Sequence, residues 1–276
     1  MKVAFYDTEF GPEFGKPEPR LGIVQAPLLS NVRWADLCLF TSTMMRHAAF
    51  VTHPNKVLWL QETRSLNTYD PAFYDTFNLI ISNDCTVLTK FPHKSRWLPM
   101  MGTWVRSREP LAKTKQVSMI ASGKRRFEGH LMRYDVADRY ERRLDGFGNL
   151  FERKIQDKDE GLWPYRYSVA IENERYSWYH TEKLYDCFAT KTLPLYWGCN
   201  DLSHLASQGF DPTSVLPWST LDDLNSLLDL PESHYESLLP AIEHNYRTLW
   251  ERPYLENWLY PILEEHLNGT ANSRSA

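Results

Sequence analysis

The feature that most constrains this chain is a series of short apolar runs set apart by roughly twenty residues of helical or loop-forming sequence. Lys2–Tyr6 (KVAFY), Arg33–Phe40 (RWADLCLF), Lys56–Leu60 (KVLWL) and Asn78–Ser82 (NLIIS) fall in the first part. Gln116–Ala121 (QVSMIA), Tyr167–Ile171 (YSVAI) and Leu193–Trp197 (LPLYW) fall in the second. Each reads as a strand, and Trp97–Met101 is a further short run. The chain between them predicts helices over Gly129–Leu144, Thr181–Thr190, Thr220–Leu230, Pro231 to Leu249 and Leu255–Leu267, and a short helix or turn over Pro71–Thr76. Gly11–Pro19 and the charged Ile155–Gly161 read as loops. Strands alternating with helices imply βαβ units and parallel sheets. The fold class expected is therefore α/β, with two Rossmann-like lobes in succession.

At 276 residues the chain holds roughly two modest domains, enough for a buried core without disulfide or metal staples. Ser107–Lys115 (SREPLAKTK) is polar, contains a proline and lacks apolar periodicity. It reads as the linker, giving domains 1–112 and 113–276, the terminal helix packing back on the first lobe. The net charge of −4 argues against a nucleic-acid partner, which wants a basic surface. The four cysteines (Cys38, Cys85, Cys187, Cys199) form no C-x-x-C and read as reduced thiols. With no signal-peptide pattern and no long apolar stretch, a soluble, cytoplasmic protein without an integral membrane segment is expected. Aromatic residues reach 14%. Tyr246, Trp250, Tyr254, Trp258 and Tyr260 space by about four, as in helix packing.

The chemistry concentrates in residues 165–198, YRYSVAIENERYSWYHTEKLYDCFATKTLPLYWG. An apolar strand delivers Glu172 and Asn173 at its carboxyl end, where open α/β sheets bind ligands. A loop with Tyr176, Trp178 and Tyr179 follows. Thr181 is a natural N-cap, with Glu182 and Lys183 in the first helical turn. On spacing alone Lys183 either projects into solvent or meets an anion, since a bare cation opposes the helix dipole there.

This segment resembles the C-terminal signature of the α-1,3-fucosyltransferases, glycosyltransferase family ten. The matching blocks are Ala170-Ile171-Glu172-Asn173, then Tyr179-His180-Thr181-Glu182-Lys183, then Leu193-Pro194-Leu195-Tyr196-Trp197-Gly198. Bacterial-type members look most similar. Upstream the likeness thins, to Trp59-Leu60-Gln61-Glu62 and to Phe77–Asp84 and Pro99–Gly102. The family usually has Ser-Pro after the glutamate that corresponds to Glu62, where this chain has Thr63-Arg64.

The resemblance implies a GT-B type glycosyltransferase. It would move L-fucose with inversion from GDP-β-L-fucose to a hydroxyl of a glycan or glycoconjugate acceptor. The nucleotide-sugar donor would sit on the second domain and the acceptor on the first, with catalysis in the cleft. Glu62 would be the general base. Arg133 and Lys183 would meet the diphosphate charge, with Arg126 the rival to Arg133. Glu182 would stabilise an oxocarbenium-like centre or hold sugar hydroxyls. Asn173 would bond donor oxygens, Tyr179 would stack on or bond the nucleotide, and Thr181, the helix cap, would also belong to the donor-binding set. Glu172 would hold ribose or support the loop. Cationic side chains at the diphosphate make a metal unnecessary, so no cofactor is expected. Asp157-Lys158-Asp159 has the D-x-D form that binds metal in other glycosyltransferases, but its charged surroundings read as a solvated loop. His130 and His180 read as supporting groups. Two other readings share these residues: the same fold with a different donor sugar, and an idle carbohydrate- or nucleotide-binding protein.

Overall fold

The computed structural model describes residues 1–7, 20–27, 31–65, 71–109 and 111–274, so the expected loop at Gly11–Pro19 lies outside the described residues. The chain forms two compact units, Met1–Met101 with Tyr254–Ala276, and Gly102–Pro253.

The first unit is built on β1 (Lys2–Tyr6), β2 (Gly22–Gln25), β3 (Leu37–Thr41), β4 (Lys56–Leu60), β5 (Leu79–Ser82), the short helix α1 (Cys85–Lys90) and β6 (Ser95–Trp97). All pairs are parallel, in the order β2-β1-β3-β4-β5-β6. Residues 37–41 and 57–60 are buried without alternation, as strands covered on both faces must be. The crossovers at Ser42–Phe50 and Pro71–Thr76 are 3-10 segments. The ring of Tyr6 stacks on Phe40 at 4.4 Å in a core completed by Met44, Met45 and Phe77. Arg33–Asp36, expected as the start of β3, is instead a turn. Asn31 Oδ1 accepts from the Arg33 amide at 3.1 Å, and the strand begins only after Asp36 has accepted the Lys2 amide.

The second unit contains β7 (Lys115–Ile120), α2 (Glu128–Tyr140), β8 (Asp145–Phe147), α3 (Asp159–Leu162), β9 (Tyr165–Ile171), α4 (Glu182–Ala189), β10 (Leu193–Trp197), α5 (Ser203–Ser207), β11 (Leu216–Pro217), α6 (Leu221–Leu227), α7 (Glu232–Ser237) and α8 (Leu239–Glu251). Its sheet is also parallel, ordered β11-β10-β9-β7-β8. The single helix expected over residues 231–249 breaks at Leu238. Pro240 has no amide hydrogen and fits only in a first helical turn, so a new helix starts there. Part of the expected charged loop at 155–161 coils into α3.

The stretch expected as a linker is tied along the second unit. Ser107 O accepts from Trp163 Nε1 at 3.2 Å, Arg108 O accepts from the Tyr246 hydroxyl at 2.9 Å, and Lys113 Nζ donates to Thr190 O at 2.7 Å. A polar connector without regular structure is held by side chains, which a periodicity reading does not detect. The C-terminal helix α9 (Leu255–Arg274) belongs to the first unit, so the C-terminal aromatic series divides: Tyr246 and Trp250 on α8, Trp258 and Tyr260 on α9. No described helix is long and apolar enough to cross a membrane. The four cysteines are free thiols.

Candidate active site

The second unit gathers its polar side chains at the carboxyl end of β9. That strand pairs with β10 up to Ile171↔Trp197, and the Glu172 amide then donates to Trp197 O at 2.9 Å. Glu172 is wholly buried, with 0% of its surface exposed. Its Oε1 accepts from the Thr181 amide at 2.7 Å and from the Tyr196 hydroxyl at 3.2 Å, and Oε2 accepts from Thr181 Oγ1 at 2.7 Å. A buried carboxylate needs this many partners. These bonds tie the Glu172 carboxylate to Thr181 at the end of the loop and to Tyr196 on β10.

The same network explains two glycines. A Cβ on Gly198 would lie 2.6 Å from both Glu172 Cγ and the Tyr196 hydroxyl, and one on Gly129 would lie 1.8 Å from Glu172 O. Only the absence of a side chain lets α2 start against the strand end, where the Gly129 amide donates to Asn173 O at 3.0 Å. His130 completes that start: its Nδ1 accepts from the amides of Arg126 and Phe127 at 3.1 and 3.2 Å. An acceptor nitrogen must be unprotonated. Burial and the neighbouring Arg133, Lys124 and Lys183 bring the His130 pKa down to about 4.

The loop between Asn173 and Thr181 is stitched down on its far side. Trp178 adopts a left-handed φ of 71°. Its amide donates to Cys199 Sγ at 3.0 Å and its indole to Asp201 Oδ2 at 3.0 Å. Tyr179 is buried and stacks on Tyr176 with centroids 4.6 Å apart. One face of the Tyr179 ring is thus taken up by Tyr176 within the loop. His180 is buried beside the Tyr185 hydroxyl at 2.9 Å, and burial with His204 nearby lowers it to about 3.

Four groups remain partly available where this wall ends. Arg133, only 5% exposed, donates through Nη2 to Ile171 O at 2.6 Å and to Asn173 Oδ1 at 3.0 Å. Among the described residues its Nη1 and Nε make no hydrogen bond. Burial lowers its pKa, opposed by Glu172, Tyr179 and Glu182, and a guanidinium stays charged regardless. Arg126 is exposed, its guanidinium 5.4 Å from the Phe127 ring, so Arg133 and not Arg126 stands against Asn173.

Thr181 caps α4, accepting from the Lys183 amide at 3.5 Å. Lys183, 25% exposed, places Nζ 3.0 Å from Thr181 Oγ1, 3.3 Å from Glu182 Oε1 and 3.5 Å from Glu172 Oε2. Burial raises the pKa of Glu182, but Lys183 and Lys158 overcome it and hold the carboxyl down at about 2. The site thus offers a guanidinium, an ammonium, an amide and an ionised carboxylate.

The Asp157-Lys158-Asp159 segment is not a solvated loop. Asp157 pairs with Arg106 at 3.2 Å, and the Asp159 carboxylate accepts from the amides of Arg106 and Ser107 at 3.2 and 2.9 Å. Lys158 reaches Asp186, buried on α4, at 2.5 Å. Sequence reasoning missed Lys158 and Asp186; the one available signal was an aspartate one helical turn after Glu182. No group of three or more His, Cys, Asp or Glu suited to a metal occurs among the described residues.

Glu62 lies in the first unit, half-buried just past β4, between the buried Gln61 and Thr63. Its neighbour Arg64 forms a two-pronged ion pair with Asp84, Nε to Oδ2 at 2.8 Å, and Asn83 Nδ2 donates to Gln61 O at 3.0 Å. Asp84 also caps α1. The Thr63-Arg64 departure from the family pattern therefore has a structural use, fastening the Glu62 turn to the end of β5.

A crystal structure of an α1,3-fucosyltransferase with GDP superposes on this chain with a TM-score of 0.59, at 15% identity over 97% of this chain and 90% of that one. The fold is that of the α1,3-fucosyltransferases. The complex of such an enzyme with GDP-fucose gives a TM-score of 0.52, at 16% identity over 96% and 90%. A mutant TarM from S. aureus, crystallised with fondaparinux, α-GlcNAc-glycerol and UDP, shares the architecture at TM-score 0.53 and 10% identity, over 84% of this chain and 55% of that one. In sequence, the α-(1,3)-fucosyltransferase FucT of Helicobacter pylori is 26% identical over 100 residues, 35% of this chain and 20% of that protein. No family model matches the chain.

Proposed function

We propose that this chain is an inverting fucosyltransferase that carries L-fucose from GDP-β-L-fucose to a hydroxyl of a glycan acceptor. The observation that carries the proposal is the joint placement of Arg133, Lys183 and Glu182 around the end of β9, in a chain with the fucosyltransferase fold.

Bond breaking leaves negative charge on the GDP diphosphate. Fixed cations located where that charge grows lower the barrier without rearranging. Arg133, with two guanidinium nitrogens uncommitted, and Lys183 supply them, and Asn173 presents its amide, its Oδ1 pinned by Arg133. Glu182, ionised across the ordinary pH range, faces the positive character of the anomeric carbon. Glu62 removes the acceptor proton. Because the leaving group is met by side chains, transfer survives EDTA.

A thermal-shift panel of GDP, GDP-fucose, GDP-mannose, UDP-glucose and UDP-galactose, followed by hydrolysis assays on the hits, tests this. Stabilisation by GDP and GDP-fucose is expected. Since TarM with the same fold was crystallised with UDP, stabilisation by the UDP compounds alone would establish a different donor. Binding without turnover would indicate an idle nucleotide-binding protein.

A further inference from the structure

Lys158 stands outside the donor-site residues expected from sequence, yet it touches two groups on α4. Its Nζ is 2.5 Å from Asp186 Oδ2 and 3.6 Å from Glu182 Oε1, the same oxygen that Lys183 approaches at 3.3 Å. Asp186 is itself immobilised: its Oδ1 accepts from Thr103 Oγ1 at 2.7 Å and from the Trp104 amide at 2.8 Å. The turn carrying Lys158 is fixed by the bonds from its neighbours Asp157 and Asp159 to residues 106 and 107. A long, flexible lysine has thereby been given a single seat. From it the ammonium neutralises a buried aspartate and shares the carboxylate next to the donor site.

We infer that Lys158 is a positioning residue of the transferase, bridging Asp186 to Glu182 so that the Glu182 carboxylate keeps its orientation. The inference rests on the donor-site reading of Glu182. The D-x-D sequence has here been given over to holding a catalytic carboxylate.

The electrostatic consequence follows from the groups facing Glu182. They are Lys183 on its own helix, Lys158 from the turn ahead of α3, Arg133 from α2, and Asp186 one turn along α4. Glu172, at the end of β9, faces Lys183. Removing Lys158 takes away one of the attracting cations and leaves Asp186 un-neutralised beside Glu182. Both changes favour the protonated acid, and loss of one adjacent cation raises a carboxyl pKa by about one unit or more.

The test uses the full chain, with Lys158→Met, Lys158→Arg and the double variant Lys158→Met/Asp186→Asn. The double variant removes the buried unpaired charge that would otherwise weaken the Lys158→Met fold. Three quantities are read: kcat and KM for GDP-fucose hydrolysis, GDP affinity, and the carbon-13 titration of the Glu182 carboxyl, assigned with Glu182→Gln. In Lys158→Met, kcat is expected to fall on the order of tenfold with much less change in GDP affinity, and Glu182 to titrate at least about one unit higher. Lys158→Arg restores both. The double variant recovers the thermal midpoint while kcat stays low. A Glu182 titration identical to wild type in Lys158→Met overturns the inference whatever the activity. A protein that fails to bind GDP, yet shows the shifted titration, keeps the hold of Lys158 on Glu182 and discards the donor reading instead.

Discussion

At the scale of single residues, the site separates groups that build the wall from groups available to a ligand. Glu172 spends its carboxylate on Thr181 and Tyr196, whereas Arg133 and Lys183 keep part of their bonding capacity open. Lys183→Ala is therefore expected to weaken GDP binding by about 1.5–3 kcal/mol, the worth of a hydrogen bond to a charged group, measured by calorimetric titration. Glu62→Gln is expected to leave GDP affinity unchanged and to cut transfer by about 10²–10⁴, the range for a general base; normal transfer by that variant would remove Glu62 from the mechanism. A third residue acts on stability. Glu256, on α9, is 2% exposed, and its two carboxylate oxygens have no hydrogen-bond partner on any other described residue. Burial pushes its pKa up to about 7. A carboxyl raised in the folded state contributes its stability below the unfolded value and loses it as pH rises through the folded one. Glu256→Gln should then raise unfolding stability by roughly 3 kcal/mol at pH 8 and change it little at pH 4, read by denaturant unfolding at the two pH values.

Elements show how far the sequence is readable and where it stops. The apolar runs that become β1, β4, β5, β9 and β10 are legible because a parallel strand is covered on both faces, so most of its residues are apolar and buried without alternation. Thr181 is legible as a cap because its hydroxyl and the following acidic residue have only one common use. The edge strand β2 and the latch of Asp159 on residues 106 and 107 are not legible. An exposed edge carries no burial pattern, and a hydrogen bond across about fifty residues leaves no local trace. Between Arg133 and Arg126 the sequence leaves the choice open, since only the folded chain shows which one the start of α2 turns toward Asn173. That start depends on Gly129. Gly129→Ala would place a methyl against Glu172 O, so it should cost about 1–3 kcal/mol of stability, seen in thermal unfolding, and should lower GDP affinity by displacing Arg133. Wild-type behaviour on both counts would show that the close approach of α2 is not required.

For the whole molecule, the residues of the proposed mechanism fall in both units: Glu62 in Met1–Met101 with Tyr254–Ala276, and Arg133, Glu182 and Lys183 in Gly102–Pro253. The proposed function requires the second unit to hold a GDP-sugar on side-chain cations. Calorimetric titration of the chain with GDP-fucose in excess EDTA tests it most directly. Saturable one-site binding is expected, displaced by GDP and strongly weakened in Lys183→Ala. Absence of binding, or binding that Lys183→Ala leaves unchanged, would contradict it.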